Sequence, residues 1–166
     1  LSPEFKLYLI KEFERLKHNE AYQQKIEWSA TRLLSKVNYD IHTDAIKEYI
    51  VPTLTENQIK FVYAEEADVL NVALFGVTAK EWRKANPDLA KKGNIRDYTD
   101  LLHLVILNNL QNINAELIEN NVPQSERLIR LNNSARRQMK SLQNNKTIHE
   151  LEEFQKQVNN EKYSLQ

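Results

Sequence analysis

Apolar residues along this chain recur three and four positions apart, which is the spacing of one face of an α-helix. Runs that alternate apolar and polar residues are scarce, and only two Gly and four Pro residues are present to form tight turns. A protein with many β-hairpins needs more residues of these types. The pattern therefore predicts an all-α fold, a helical bundle with a long N-terminal helix and about six to seven helices.

The longest uninterrupted helical pattern lies at the start of the chain. The segment Ser2-Pro3-Glu4 is typical of a helix start. An apolar stripe follows, made of Phe5, Tyr8, Leu9, Phe13 and Leu16. A second stripe has nearly the heptad spacing of a coiled coil and consists of Tyr22, Ile26, Ala30, Leu33 and Val37. One helix over residues 3–37 is predicted to protrude or to pair with another copy.

Helix-end signals divide the next part of the chain. A weak break at residues 38–40 precedes a helix predicted at about 41–50. Thr55 and Gln58 have the spacing of a capping box, in which the two side chains satisfy free backbone groups at a helix start. This helix is predicted to end at Gly76, because Gly readily adopts the left-handed conformation that terminates helices.

The second half of the chain has similar signals. Thr78 is predicted to cap a short helix, and Asp97 or Thr99 is predicted to open a long one that ends at 120–123. Because the long helix is apolar over a wide face, it is predicted to occupy the centre of the bundle. Two more helices follow, one at 125–142 and one opened by a second capping box at 147–150.

Composition excludes several classes of protein. The chain has 23 Lys and Arg against 23 Asp and Glu, so it is not a generally basic nucleic-acid coat protein. It has no Cys, which excludes disulfides, zinc fingers, iron–sulfur clusters and thiol catalysis and is typical of a cytoplasmic protein. No apolar run approaches the roughly 20 residues of a membrane span.

The sequence contains no catalytic motif. The four His residues have no partner at metal-ligand spacing, and two Gly are too few for a phosphate-binding loop. The carboxylates at 65–68 and 150–153 have the pattern of solvated helix faces. We therefore predict no enzymatic activity, no metal and no cofactor.

Positive charge is concentrated in the middle of the chain, where residues 76–143 contain 11 Lys and Arg against 7 Asp and Glu. A helix-turn-helix-like unit at 67–85 and basic residues over 80–140 are candidates for contacting DNA. An ordinary solvated helix face is the alternative interpretation. The candidate phosphate contacts are Lys80, Arg83, Lys84, Arg96, Arg127, Arg130, Arg136 and Arg137.

A dense polar cluster follows the short predicted helix. It consists of Asn94, Arg96, Asp97 and Tyr98, with Trp82 nearby in sequence. Charged side chains in such a segment can clamp the loop through bonds to its own backbone. They can also line a small-ligand sensor or an enzyme site within residues 82–98.

Several segments of the chain resemble a known group of proteins. The segment SPEFKLYLIKEFERLK (2–17) is similar to the closing helix of the KilA-N domain, a DNA-binding module of phages, bacteria and large DNA viruses. The remainder is similar to the C-terminal region that follows this module in a bacterial group of KilA-N domain-containing proteins. The segments that carry this resemblance are VNYDIHTDAIKE (37–48), YAEEADVLNVALFGVTAKEWR (63–83), KGNIRDYTDLL (92–102) and SERLIRLNNSARRQM (125–139).

The resemblance implies two parts, a closing helix of a truncated KilA-N domain at 1–17 and a C-terminal helical domain at 18–166. It implies a phage-related, DNA-binding regulatory protein whose DNA contacts precede this chain. Together with the heptad stripe, this predicts a cytoplasmic homo-oligomer or a partner-binding domain, with DNA bound by the missing N-terminal module and no contact with a membrane. The predicted oligomer interface consists of Phe5, Leu9, Phe13, Leu16, Ile26 and Leu33.

Overall fold

The structure is a computed structural model that describes residues 2–17 and 34–164. Every regular element in these residues is helical, which confirms the predicted all-α fold. The α-helices are α1 (Pro3–Lys17), α2 (34–45), α3 (Glu56–Phe75), α4 (Ala79–Ala85), α5 (Pro87–Ala90), α6 (Leu101–Glu119), α7 (Gln124–Leu142) and α8 (Lys146–Ser164). A π-helical turn (Ile46–Ile50) and a 3₁₀ turn (Val51–Thr53) extend α2, and a second 3₁₀ turn (Ile95–Tyr98) precedes α6.

The predicted single helix over 3–37 lies partly outside the described residues. The predicted weak break at 38–40 is wrong, because α2 runs through it without interruption. An Asn in a helix is unfavourable chiefly because its amide competes for backbone groups. Here the Asn38 Oδ1 accepts a hydrogen bond of 2.9 Å from Asn112 on α6, so this amide oxygen is engaged away from its own backbone.

Local capping signals were predicted correctly at both ends of α3 and at the start of α4. The Thr55 backbone N–H donates to Gln58 Oε1 at 2.9 Å. Gly76 ends α3 with a φ of 74°, in the left-handed region. The Thr78 hydroxyl accepts the Glu81 N–H at 3.2 Å, and Glu81 in turn accepts the Thr78 N–H at 2.7 Å. Such bonds satisfy backbone donors that the first helical turn leaves free.

Two predicted helix starts require correction. Asp100 caps α6, in place of Asp97 or Thr99, because its Oδ1 accepts the His103 N–H at 2.8 Å. The carboxylate of Asp97 is engaged three residues earlier, where it accepts the Asn94 N–H at 2.7 Å. The start of α8 is the second correction. Asn145, in place of Thr147 in the predicted capping box at 147–150, caps α8 by accepting the Ile148 N–H at 3.1 Å.

Helix α6 lies at the centre of the fold and packs against α3, α7, α8 and the π-helical turn, as its wide apolar face predicted. A second apolar cluster joins the end of α2 to α3 and α6 through Ala45, Ile46, Val62, Ala115 and Ile118. The main core combines α3, α6 and α7 and consists of Val69, Leu70, Ala73, Ile106, Leu107, Leu110, Leu131 and Ala135.

Candidate functional site

A fully buried ion pair joins α3 to α7. Arg127 donates from Nη1 to Glu66 Oε2 at 2.6 Å and from Nη2 to Oε1 at 2.9 Å, while its Nε donates to the Val122 carbonyl at 3.0 Å. Only 2% of Glu66 and 3% of Arg127 are exposed. Burial raises the pKa of Glu66, but its bonds to Arg127 and Gln124 and the Arg127 charge outweigh burial and hold the pKa below its usual value. Glu66 is therefore a carboxylate at neutral pH.

The ion pair belongs to a longer buried chain of hydrogen bonds that reaches α2. Arg127 Nη1 also donates to Asn114 Oδ1 at 2.8 Å, and Asn114 Nδ2 lies 2.7 Å from His42 Nε2. Because an amide nitrogen only donates, His42 Nε2 is the acceptor and carries no proton. The pKa of His42 is lowered to about 4, chiefly by burial and also by the charges of nearby Arg96 and Arg127, which act against the effect of Glu66. The polar chain His42–Asn114–Arg127–Glu66 thus connects α2, α6, α7 and α3.

This arrangement corrects one predicted DNA contact and locates residues that the sequence analysis did not single out. Arg127 cannot reach a phosphate, because its guanidinium is buried and occupied by Glu66. Both residues stand in apolar stripes, Glu66 four residues from Val62 and from Leu70, and Arg127 four residues before Leu131. A charge in an apolar stripe on each of two helices is the signal that could have predicted this pair.

The same polar contacts fix which face of α2 points outward. Asn38 and His42 are buried against α6, each through a direct side-chain bond. Val37 and Ile41, about 100° away around the helix, are 46% and 44% exposed. Helix α2 therefore buries the polar side chains of Asn38 and His42 and leaves the apolar side chains of Val37 and Ile41 in solvent. Val37 is the last position of the near-heptad stripe, and Ile41 continues it by four residues.

Helix α1 also presents apolar side chains to solvent. Leu7, Tyr8 and Ile10 are exposed, and Phe5 and Leu9 are partly exposed. Leu7 and Ile10 lie on the side of the helix away from Phe5, so one neighbouring surface cannot cover all of them. Helix α1 does not pack extensively against any other described element. The other predicted interface residues, Phe13, Leu16, Ile26 and Leu33, lie outside the described side chains.

The remaining predicted DNA contacts lie on α4, on α7 and in the 3₁₀ turn before α6. Lys80, Arg83 and Lys84 are exposed on α4, and Arg136 and Arg137 are exposed on α7. Arg130 is exposed and pairs with Glu126. Arg96 is half-buried, and burial lowers its pKa. In the predicted helix-turn-helix-like unit, α3 and α4 are joined by the turn at 76–78, and α4 has seven residues.

The predicted polar cluster at 94–98 clamps its own loop. Asp97 Oδ2 accepts the Asn94 N–H at 2.7 Å, and Asn94 Oδ1 accepts the Arg96 N–H at 2.9 Å. Tyr98 stacks on Trp82 with a ring-centre distance of 5.9 Å and an interplanar angle of 24°. None of these side chains lines the open groove beside the ion pair described below.

An open groove of about 590 Å³ lies beside the ion pair. Tyr49, Leu54 and Phe61 contribute apolar walls, while Glu66 and Arg127 belong to its lining. Within residues 2–17 and 34–164, no group of three His, Asp or Glu side chains converges as a metal site would require. None of the described helices combines the length and apolar composition of a membrane span.

No protein-family model, curated protein or solved structure matches this chain.

Proposed function

We propose that this chain is a non-enzymatic assembly module that pairs with a second copy of itself through α2 and α1. The observation that carries the proposal is the outward orientation of Val37 and Ile41 on α2. Single exposed apolar residues are common on protein surfaces. These two, however, continue a stripe with coiled-coil spacing, and a stripe of this spacing is covered by another helix.

The bonds between α2 and α6 oppose a rotation of α2 that would cover these residues within one subunit. Rotating α2 to bury Val37 and Ile41 breaks the Asn38–Asn112 and His42–Asn114 bonds. Leaving a buried amide or imidazole without a partner costs about 1–3 kcal/mol for each group. A second polypeptide covers the apolar face without that cost.

Pairing of this kind suits the regulator that the resemblance to KilA-N domain-containing proteins implies. A DNA-binding module that precedes α1 would be present twice in the dimer. Two linked modules bind paired half-sites with a raised effective concentration. In this proposal, the protein sets the spacing of the DNA-binding modules. The buried hydrogen bonds from His42 to Glu66 hold the outward face of α2 in one orientation.

Light scattering coupled to size-exclusion chromatography tests the proposal. The wild-type chain is expected to have the mass of a dimer, with dissociation only on dilution over a roughly hundredfold range of concentration. The double substitution Val37→Gln and Ile41→Gln removes the apolar face and is expected to give a monomer with unchanged helical circular dichroism. The matched control replaces the exposed Lys36 and Lys47 of the same segment with Gln and should remain dimeric.

Two results would contradict the proposal. One is a wild-type chain that is monomeric at the highest concentration. The other is a Val37→Gln, Ile41→Gln variant that dimerises as tightly as the Lys36, Lys47 control. Either result would show that the exposed face of α2 does not hold two copies together.

A further inference from the structure

The region between α4 and α6 holds an aromatic ring in a fixed, accessible position. Trp82 stacks on Tyr98, and the Tyr98 hydroxyl donates to the Leu89 carbonyl at 3.3 Å. The ring is thereby held by one face and by its hydroxyl end. Nevertheless, 45% of Tyr98 stays exposed.

Short-range bonds organise the loop that carries Tyr98. The Leu89 carbonyl also accepts the N–H groups of Lys92 and Gly93, at 3.0 and 3.1 Å. The close approach of Gly93 to Asp97 leaves no space for a side chain, because a Cβ at this position would lie 2.7 Å from Asp97 Oδ2. The turn that bears Lys92 therefore lies at the hydroxyl end of the Tyr98 ring.

The acidic residues of this region are already engaged. Residues 78–98 contain six Lys and Arg and three Asp and Glu. Glu81 binds the Thr78 N–H, Asp97 binds the Asn94 N–H, and Asp88 pairs with Lys91 at 3.0 Å. Within the described residues, no ion pair neutralises the remaining basic side chains, namely Lys80, Arg83, Lys84, Lys92 and Arg96.

We propose that Tyr98 is a stacking platform for one base of a single-stranded nucleic acid, whose phosphates contact the turn at Lys92. An exposed aromatic ring beside cationic side chains is the combination that single strands recognise, since every base has a face that can stack and every nucleotide carries a charge. This inference is independent of dimerisation, because neither α1 nor the exposed face of α2 takes part.

The geometry favours a single strand over two other anionic partners. A paired base in duplex DNA exposes only its edge, so the face of Tyr98 would find no counterpart. Lys80 and Lys84 project from the side of α4 away from Trp82. They add to the positive electrostatic potential of the region without lying beside the ring. An acidic peptide would pair with the positive charges, but its carboxylates would not stack on the exposed Tyr98 ring.

Fluorescence anisotropy with a labelled thymidine oligonucleotide of about 12 nucleotides tests the inference. Tyr98→Leu keeps an apolar contact with Trp82 but removes the aromatic face, and it is expected to weaken binding about five- to hundredfold. Tyr98→Phe keeps the ring and should bind as the wild type does. The matched control is Tyr63→Leu, which removes an exposed tyrosine of α3.

A second variant tests the charges without altering the ring. Replacing Lys92 with Gln should reduce the slope of log affinity against log salt by about 0.7, the contribution of one phosphate contact on a single strand. Thermal unfolding of every variant confirms that the domain remains folded.

The inference is overturned if the wild-type chain does not bind the oligonucleotide at about 50 mM salt. It is also overturned if Tyr98→Leu, while folded, binds as tightly as Tyr63→Leu. Equal or tighter binding of duplex DNA or of a polyglutamate peptide, unaffected by Tyr98→Leu, would assign the surface to one of those partners instead.

Discussion

Removing Arg127 alone is predicted to destabilise the fold severely. In Arg127→Met, the Glu66 carboxylate loses the two donors at 2.6 and 2.9 Å and keeps Gln124 at 3.1 Å. Asn114 Oδ1 loses its donor as well. Breaking a buried ion pair from one side costs about 3–5 kcal/mol, because the remaining charge has neither water nor a counter-ion. Without Arg127, burial dominates and the pKa of Glu66 rises.

Two further variants isolate the cause. Arg130→Met on the same helix removes an exposed arginine that pairs with Glu126. That loss is expected to cost at most about 1 kcal/mol, because water and salt screen exposed pairs. The double variant Glu66→Leu, Arg127→Met removes both buried charges, so it should recover most of the stability lost in Arg127→Met.

Urea unfolding followed by circular dichroism provides the free energies. All variants must be compared at one protein concentration, because pairing of two copies would make the apparent stability depend on concentration. Equal losses in Arg127→Met and Arg130→Met would refute the buried ion pair. A double variant no more stable than Arg127→Met would refute the argument that the uncompensated Glu66 charge causes the loss.

Three other outcomes follow from the described geometry. The pKa of His42 is about 4 in the folded chain and 6.5 in the unfolded chain. The unfolded chain therefore binds more protons than the folded chain between about pH 4 and pH 6.5. The free energy of unfolding should therefore fall by about 2 kcal/mol between about pH 7 and pH 5. His42→Gln should remove this pH dependence, while the control His149→Gln should keep it. An unchanged pH dependence in His42→Gln would show that His42 is not its cause. Gly76→Ala should cost about 1–2 kcal/mol in urea unfolding from its left-handed backbone alone, since no atom lies within 4 Å of the added Cβ. Gly93→Ala should lose about 1 kcal/mol by displacing Asp97 from the Asn94 N–H, and wild-type stability would show that the loop adapts.

Helix boundaries were the part of the fold that could be read from short stretches of sequence. The bonds at Thr55, Gly76 and Thr78 each span only three or four residues. Such bonds depend on local residue types and hardly on the rest of the molecule. The wide apolar face of α6 predicted its central position for a related reason, because a helix that is apolar over most of its surface must be enclosed. At the start of α6, the prediction missed by a few residues because two neighbouring side chains, Asp97 and Asp100, can both act as caps.

The candidate site depended on contacts that no local pattern specifies. Glu66 and Arg127 are 61 residues apart, and His42 and Asn114 are 72 residues apart. From the sequence, Arg127 resembled the exposed arginines of its helix. Its position in an apolar stripe marks it as unusual, but the stripe alone does not identify Glu66 as its partner.

The sequence by itself determined that the chain is helical and where most helices begin and end, since backbone hydrogen bonds and caps are satisfied within a few residues. Only the tertiary structure decided that α2 buries Asn38 and His42 and exposes Val37 and Ile41. The stripe spacing defines an apolar face but does not say what covers it. The rotation of α2 is set by the side chains that α6 places beside it, because buried polar groups must find partners before apolar ones can be enclosed.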